Sequence, residues 1–233
     1  MTDENRLLGL LPKEIYEHLN PDLERVSLTR DTILHHPGQA IQYVYFPIDC
    51  LLSVTMTMNN GATTEVALLG KFEALGIQAV ISSRPTVAQT TDLVQKEGDA
   101  FQIKAEILRH EFNHSQELRD LLLDYTQALI AQISQTSACN SLHTLEQRFA
   151  RWLLELQDRI ESDDIKITQE FISHMLGVRR AGVTQAAQKF KEKGLISYRR
   201  GHIQILDQQG LESTACECFG CLKKEYDRLL GGK

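Results

Sequence analysis

Positively charged side chains are concentrated in one stretch of this 233-residue sequence, between Ile165 and Leu206. The stretch has eight Lys and Arg residues and two Glu residues, so its net charge is +6 in a chain whose net charge is −6. The basic residues are Lys166, Arg179, Arg180, Lys189, Lys191, Lys193, Arg199 and Arg200. This asymmetry is typical of one surface that approaches phosphate groups while the remaining chain, at −12, is repelled by them.

The apolar pattern of the same stretch predicts the elements that hold these charges. Thr168 is expected to start a short helix that Gly177 ends, and a second helix follows until Gly194. The inward positions, at helical spacing, are Phe171, Ile172, Met175, Leu176, Val183, Ala186, Ala187 and Phe190. The two apolar runs 195–198 and 203–206 then predict a hairpin with a basic tip. A helix-turn-helix followed by a basic hairpin is the pattern of a winged DNA-binding unit.

Three of the five cysteines lie within six residues, at Cys216, Cys218 and Cys221. A tetrahedral metal site needs a fourth ligand, which Cys139, His143 or His174 would have to supply. The other interpretation, which we favour at this stage, is that these cysteines are small packing residues beside Phe219. A metal-based or thiol-based redox sensor therefore stays open as an alternative function.

Composition limits the class of protein. The chain is 42% hydrophobic and 24% charged, which is ordinary for a globular protein. Its acidic beginning lacks the basic start and apolar core of a signal peptide, and no window approaches a membrane span. We therefore expect a cytoplasmic protein with reduced thiols and no membrane partner. The sequence contains no Ser-His-Asp signature, GxxxxGK loop or HExxH motif, so we do not expect an enzyme.

The first half of the chain is predicted to be mainly β-structure. A helix is expected at residues 7–19, and short strands separated by glycine turns follow it. Two of these turns are His36-Pro37-Gly38 and Asn59-Asn60-Gly61. This texture predicts an antiparallel, jelly-roll-like β-roll that serves as a sensor domain over residues 1–113.

A long helix is predicted next, because residues 117–142 contain neither Gly nor Pro. Leu118, Leu122, Tyr125 and Leu129 recur in steps of four and three, which is the seam spacing of a coiled coil. We expect residues 114–142 to form a dimerisation helix, and the alternative is a helix that packs wholly on its own domain. Residues 143–233 would form the winged helix-turn-helix domain and a cysteine-containing tail, which gives an α+β fold.

The order of these elements and several ordered sequence blocks resemble the Crp/Fnr family of bacterial transcription regulators. The resemblance covers nearly the whole chain. The matching blocks are Val44–Pro47, Ala138–Asn140, Gln147–Leu154, Thr168–Phe171, Met175–Arg180 and Gly194–Ile196. It implies a β-roll similar to a cyclic-nucleotide-binding domain, a dimer helix and a winged helix-turn-helix, with double-stranded DNA, a second copy of the chain and RNA polymerase as partners.

The resemblance also implies which residues read DNA. The family's base-reading positions correspond to Arg180, Ala181, Thr184 and Gln185, where Arg suits guanine and Gln suits adenine. Ala181 departs from better-known members, which often have Glu there, so the half-site should differ. Phosphate contacts are expected from Thr168, Arg179, Lys189, Arg199 and Arg200. The predicted function is a homodimeric regulator that reads an inverted repeat and responds to an unidentified signal.

The effector site departs from the family pattern. Members that bind cyclic nucleotides use an adjacent Gly-Glu pair for the ribose, and an Arg followed by Ser or Thr for the phosphate. Here Glu73 is not adjacent to a Gly, and Pro85 follows Arg84. The candidate pocket residues are Gly70, Glu73, Gly76, Arg84 and Thr86. We expect no cyclic nucleotide, and no haem, because His35 and His36 lie in a turn and the amino-terminal cysteines of oxygen-sensing members are absent.

Overall fold

The computed structural model describes residues 4–199 and 201–231. The prediction for Arg200 therefore lies outside the described residues. The described chain forms two compact units, one of residues 4–55, 67–131 and 225–231, the other of residues 56–66 and 132–224. No helix within the described ranges has the length and apolar character needed to cross a membrane.

The first unit contains two antiparallel sheets. Its helices are α1 (Arg6–Gly9), α2 (Lys13–Leu19), α3 (Gln78–Ile81) and α4 (Ala105–His114). The strands are β1 (Glu24–Leu28), β2 (Ile33–His35), β3 (Tyr43–Pro47), β4 (Leu51–Thr57), β5 (Thr63–Leu69), β6 (Thr91–Lys96) and β7 (Gly98–Lys104). One sheet has the order β1-β7-β3 and the other has the order β2-β6-β4-β5. The tip of the β4–β5 hairpin belongs to the second unit.

The structure of this unit differs in detail from the local predictions. The helix expected at residues 7–19 is two helices, because Asn5 caps α1 and Pro12, which has no N–H to donate, precedes α2. Strand β1 was not predicted, since its side chains are exposed or only partly buried and give a weak signal. Helix α4 was not predicted either, and it occupies the expected end of the β domain.

The long helix α5 runs over Gln116–Leu142, as predicted. The predicted seam residues Leu118, Leu122 and Tyr125 are almost fully buried in the core of the first unit. The Tyr125 hydroxyl donates a 2.6 Å hydrogen bond to the carbonyl oxygen of Ala74, and Leu129 packs against the same core. The assignment of these four residues to a dimer seam is therefore wrong, because their contacts lie within their own chain.

The second unit holds the helix-turn-helix and the wing. Its elements are α6 (Leu145–Ile160), β8 (Asp164–Ile165), α7 (Gln169–Met175), α8 (Arg180–Glu192), β9 (Ile196–Arg199), β10 (His202–Ile205) and α9 (Gln208–Thr214), followed by the start of α10 (Cys218–Leu230). The three strands form an antiparallel sheet of order β8-β10-β9. These elements confirm the predicted helix-turn-helix and hairpin and, with the first unit, the α+β fold class.

Helix α6 is the base on which α8 packs. A capping box at Thr144 and Gln147 starts α6, so the first backbone N–H groups of this helix have partners. The rings of Phe149 and Phe190 stack with centroids 5.3 Å apart. The buried Trp152 indole donates a 2.9 Å hydrogen bond to the carboxylate of Glu65, at the hairpin tip that belongs to this unit. Position and tilt of α8 are thus set by a closely packed interior.

Candidate nucleic-acid interface

Helix α8 is amphipathic, with one buried face and one exposed face. Val183, Ala186, Ala187 and Phe190 are at most 2% exposed and fill the core of the second unit. The opposite face is exposed and contains Arg180, Ala181, Thr184, Gln185 and Gln188. All the predicted base-reading positions therefore lie together on the solvent side of a helix that is fixed by packing on its other side.

Arg179 and Arg180 stand at the amino terminus of α8. Arg179 is the residue before the first turn, and Arg180 is the first helical residue. Both are exposed, and within the described residues no carboxylate lies at ion-pair distance from either guanidinium. Two unpaired planar guanidinium groups at one helix start can each offer two parallel N–H donors to a base edge or a phosphate.

Thr184 already has partners inside the protein. Its hydroxyl oxygen lies 2.8 Å from the Gln169 side-chain oxygen and 3.1 Å from the carbonyl oxygen of Arg180. The hydroxyl therefore joins the first turn of α7 to α8. Gln169 was not predicted to take part in the site, because the pairing depends on how the two helices pack.

The wing tip lies beside the start of α7. Gly201 has φ +74°, and a Cβ atom at Gly201 would lie 3.9 Å from Thr168 Cγ2. Thr168 is exposed and caps α7 by accepting a hydrogen bond from the N–H of Phe171. Arg199, at the exposed end of β9, pairs with His202 of β10. His202 Nε2 in turn contacts a carboxylate oxygen of Asp164 in β8, which holds the hairpin against the third strand.

Lys189, one of the predicted phosphate contacts, has an ion-pair partner within the protein. Its ammonium group forms an ion pair with Glu146 at the start of α6. The hydrogen bond from Lys189 lowers the pKa of the Glu146 carboxyl. A phosphate contact by Lys189 therefore has to compete with this carboxylate.

The Glu146→Gln variant is expected to strengthen binding to any DNA sequence about 2- to 5-fold, because it releases the Lys189 ammonium for phosphate. Affinities for specific and random duplexes, measured over a range of salt concentrations, would check this. The same change made with Lys189→Gln already present should have no effect on affinity. Equal effects of Glu146→Gln in both backgrounds would contradict the competition.

The same ion pair predicts a pH dependence of stability. Because the folded-state pKa of Glu146 is lowered, its contribution to stability is present above its unfolded pKa and is lost as the pH falls through the folded pKa. The carboxylate is partly exposed, so we expect only a small effect.

The proposed effector residues have structural contacts in the first unit. Glu73 is 1% exposed, and its carboxylate accepts a 2.7 Å hydrogen bond from the Gly70 N–H. Gly76 has φ +91°, and a Cβ atom there would lie 2.8 Å from the Tyr43 carbonyl oxygen, so only glycine fits. In another loop, the Thr86 hydroxyl lies 3.2 Å from the Arg84 carbonyl oxygen, and the Arg84 side chain is exposed.

The structure brings four possible metal ligands together in the second unit: Cys139, His143, Cys216 and Cys218, whose ligand atoms all lie within 4.8 Å of one another. Cys221 is exposed and stands outside this group, which corrects the predicted trio of Cys216, Cys218 and Cys221. Burial raises the pKa of the Cys216 thiol to about 12. Burial also raises the pKa of Cys139, although Arg151 opposes this effect.

The DNA-binding part of the chain is similar to a known domain family. Residues 147–214 match the sequence model of the Crp-like helix-turn-helix domain. Several solved structures have the same fold. A transcriptional regulator of the Crp/Fnr family from Eubacterium rectale is 20% identical, with a TM-score of 0.71 over 91% of this chain and 99% of that chain. The chain has the fold of this Crp/Fnr regulator.

Other Crp/Fnr-fold structures are similar at lower identity. FixK2 from Bradyrhizobium japonicum is 15% identical, with a TM-score of 0.72 over 83% of this chain and 98% of that one. The regulator CLP from Xanthomonas campestris, described as responsive to c-di-GMP, is 14% identical, with a TM-score of 0.69 over 83% and 99% of the two chains. No curated protein matches the sequence significantly. The chain thus combines a Crp-like helix-turn-helix domain at residues 147–214 with the fold of these regulators.

Proposed function

We propose that this chain is a Crp/Fnr-type transcription regulator, and that it acts as a homodimer that reads an inverted-repeat operator through two copies of α8. The observation that carries the proposal is the exposed face of α8, where Arg180 and Gln185 point to solvent while the opposite face is locked into the core. An α-helix presented in this way fits the major groove of B-DNA. Regulation would follow from occupying a promoter or from contacting RNA polymerase there.

Base reading and backbone contact are assigned to different residues. Arg180 would donate to guanine O6 and N7, and Gln185 would pair with adenine N6 and N7. Arg179, Arg199 and Thr168 would contact phosphates on either side, which sets the register without reading sequence. Thr184 has its hydroxyl engaged by Gln169, so its contribution to base reading is through its methyl group or through the placement of α8.

Dimerisation is assigned to a different face of α5 from the one predicted. Leu123, Ile130 and Ile133 are 46%, 59% and 38% exposed along this helix, although they are large apolar residues. Their spacing of seven and then three residues is that of successive a and d positions in a coiled coil. The same face of a second copy is complementary to it by symmetry, and pairing the two would bury all three side chains.

The input signal is assigned to the β-roll. The Glu73 carboxylate accepts a hydrogen bond from the Gly70 N–H, and Arg84 is exposed in a different loop. This chain therefore does not offer the ribose and phosphate contacts of cyclic-nucleotide-binding members. A signal of other chemistry would shift the equilibrium between dimers that can and cannot place both recognition helices on DNA.

Selection of bound sequences from a random DNA pool tests this function. We expect an enriched inverted repeat whose half-sites are about 10 base pairs, or about 34 Å, apart from centre to centre. Affinity should fall steeply with salt, because several phosphates are neutralised. Enrichment of a single unpaired half-site would contradict binding as a dimer. The absence of any enriched sequence would contradict sequence-specific regulation.

A further inference from the structure

The four-residue group of Cys139, His143, Cys216 and Cys218 has the composition and dimensions of a metal site. Cys139 lies in the last turn of α5, and His143 is the residue after the end of this helix. Cys218 is the first residue of α10, and Cys216 precedes it by two residues. The sulfur atoms of Cys139 and Cys216 are 3.4 Å apart, and Cys218 Sγ lies 3.5 Å from His143 Nδ1. Ligands about 2.3 Å (sulfur) and 2.0 Å (nitrogen) from a tetrahedral zinc ion would be separated by about 3.8 and 3.6 Å.

We propose that these four side chains bind one zinc-class divalent cation, with three thiolates and His143 Nδ1 as ligands. Soft thiolates together with an imidazole select zinc over magnesium or calcium, which prefer oxygen ligands. The 4.8 Å span suits a single ion, because the several iron and sulfide ions of a cluster would separate the thiolates further. All four ligands belong to the second unit.

The surroundings of the ligands are those of a metal site. His143 Nε2, the nitrogen opposite the proposed ligand atom, lies 3.3 Å from a Glu217 carboxylate oxygen, and the pair would orient the imidazole. The Gln135 side-chain amide donates a 2.9 Å hydrogen bond to Cys218 Sγ. An amide that donates to sulfur stabilises a thiolate more than a neutral thiol. Neither Gln135 nor Glu217 would be needed merely to pack cysteines.

The charge balance around the four ligands also supports a bound divalent ion. Arg148 and Arg151 lie close to the cysteine group and are only 9% and 2% exposed. Arg151 is paired with Glu155. Arg148 has no carboxylate at ion-pair distance within the described residues. Three thiolates and a neutral imidazole around a divalent ion carry one net negative charge, which balances the buried Arg148 cation.

Arg148 also connects the site to the helix-turn-helix. Its guanidinium donates hydrogen bonds to the carbonyl oxygens of Asn140, beside the ligand Cys139, and of Leu176, at the end of α7. Loss of the metal would remove the anionic neighbour of this guanidinium and loosen the turn that orients α8. This consequence rests on the proposed DNA-binding function, whereas metal binding itself does not.

Metal content of the full-length protein, purified without a tag, tests the site. We expect about one zinc per chain, and cobalt substitution should give the visible ligand-field absorption of a tetrahedral thiolate site. Cys218→Ser should lose the metal, while Cys221→Ser, three residues away and exposed, should keep it. Glu217→Gln, on the protein surface, should fold normally and bind zinc about 10-fold more weakly.

Two results would overturn the proposal. One is a folded wild-type protein that takes up neither zinc nor cobalt and has all its thiols free. The other is a Cys139–Cys216 disulfide detected by mass spectrometry, in which the two sulfur atoms have moved from 3.4 Å to about 2.0 Å. Normal metal content in Glu217→Gln at limiting zinc would exclude the assigned role of that carboxylate.

Operator affinity before and after metal removal tests the connection through Arg148 separately. Chelation should weaken operator binding several-fold, and added zinc should restore it. Unchanged affinity of a verified metal-free protein would overturn the connection, and failure to bind any DNA in either state would contradict the proposed function and leave the metal measurement unaffected.

Discussion

Arg180→Ala is expected to weaken binding to the selected operator by about 5- to 150-fold, which corresponds to the 1–3 kcal/mol typical of a bidentate base contact. Arg180 is the first residue of α8, is exposed, and has no carboxylate partner among the described residues, so its removal should leave the fold intact. The variant should also lose its preference for guanine at one position of each half-site. Competition binding with operators mutated at single base pairs would measure both effects.

Two further variants separate base reading from other causes of weak binding. Arg199→Ala should weaken specific and random DNA alike and reduce the salt slope by about one. Gln188→Ala changes the same exposed face of α8, where its side chain bonds to Glu192, and should keep affinity within about twofold of wild type. If Arg180→Ala and Arg199→Ala reduce binding equally on all sequences, the assignment of Arg180 to base reading is wrong.

Ile130→Glu is expected to convert the dimer to monomers and to reduce operator affinity by about 100-fold or more. Ile130 is 59% exposed on α5, so the charge is harmless in a single chain. In the proposed dimer, two Glu carboxylates would be forced into an apolar seam, where desolvation and mutual repulsion oppose association. Each half-site would then have to be bound independently.

Analytical ultracentrifugation and operator titration would measure the two effects on the same samples. Met58→Glu is the matched control, because Met58 is 52% exposed and belongs to the turn between β4 and β5 rather than to α5. It should remain dimeric with wild-type affinity. A dimeric Ile130→Glu protein would show that the subunits associate through another surface, whereas loss of folding in thermal unfolding would mean that this face packs within the chain.

Local patterns predicted much of this fold because the relevant forces act over a few residues. Apolar spacing and Gly177 predicted the helix-turn-helix, and two apolar runs around a basic tip predicted the wing. The absence of Gly and Pro predicted α5. The same reasoning failed where local signals were weak. The strand β1 is paired with β7 but buries little, and Pro12 starts a new helix where one continuous helix was predicted.

The candidate site, too, could be predicted only in part from the sequence. The charge concentration between Ile165 and Leu206 was visible in the sequence, and so was the set of polar residues on the outer face of α8. Spacing alone could not tell whether the seam of Leu118, Leu122 and Tyr125 faces a partner or its own core, because both surroundings exclude water equally. Their burial shows that it is the core, and that Ile130 lies on the exposed face.

The sequence by itself determined the fold class, the position of the DNA-binding unit and the presence of excess thiols near its end. Only the tertiary structure decided which thiols meet. Cys139 and Cys216 are 77 residues apart in the chain, and no local pattern links them, whereas Cys221 is close in sequence but is turned to solvent. Ligand geometry depends on how the end of α5 packs against the start of α10, and that packing is set by the whole interior of the unit.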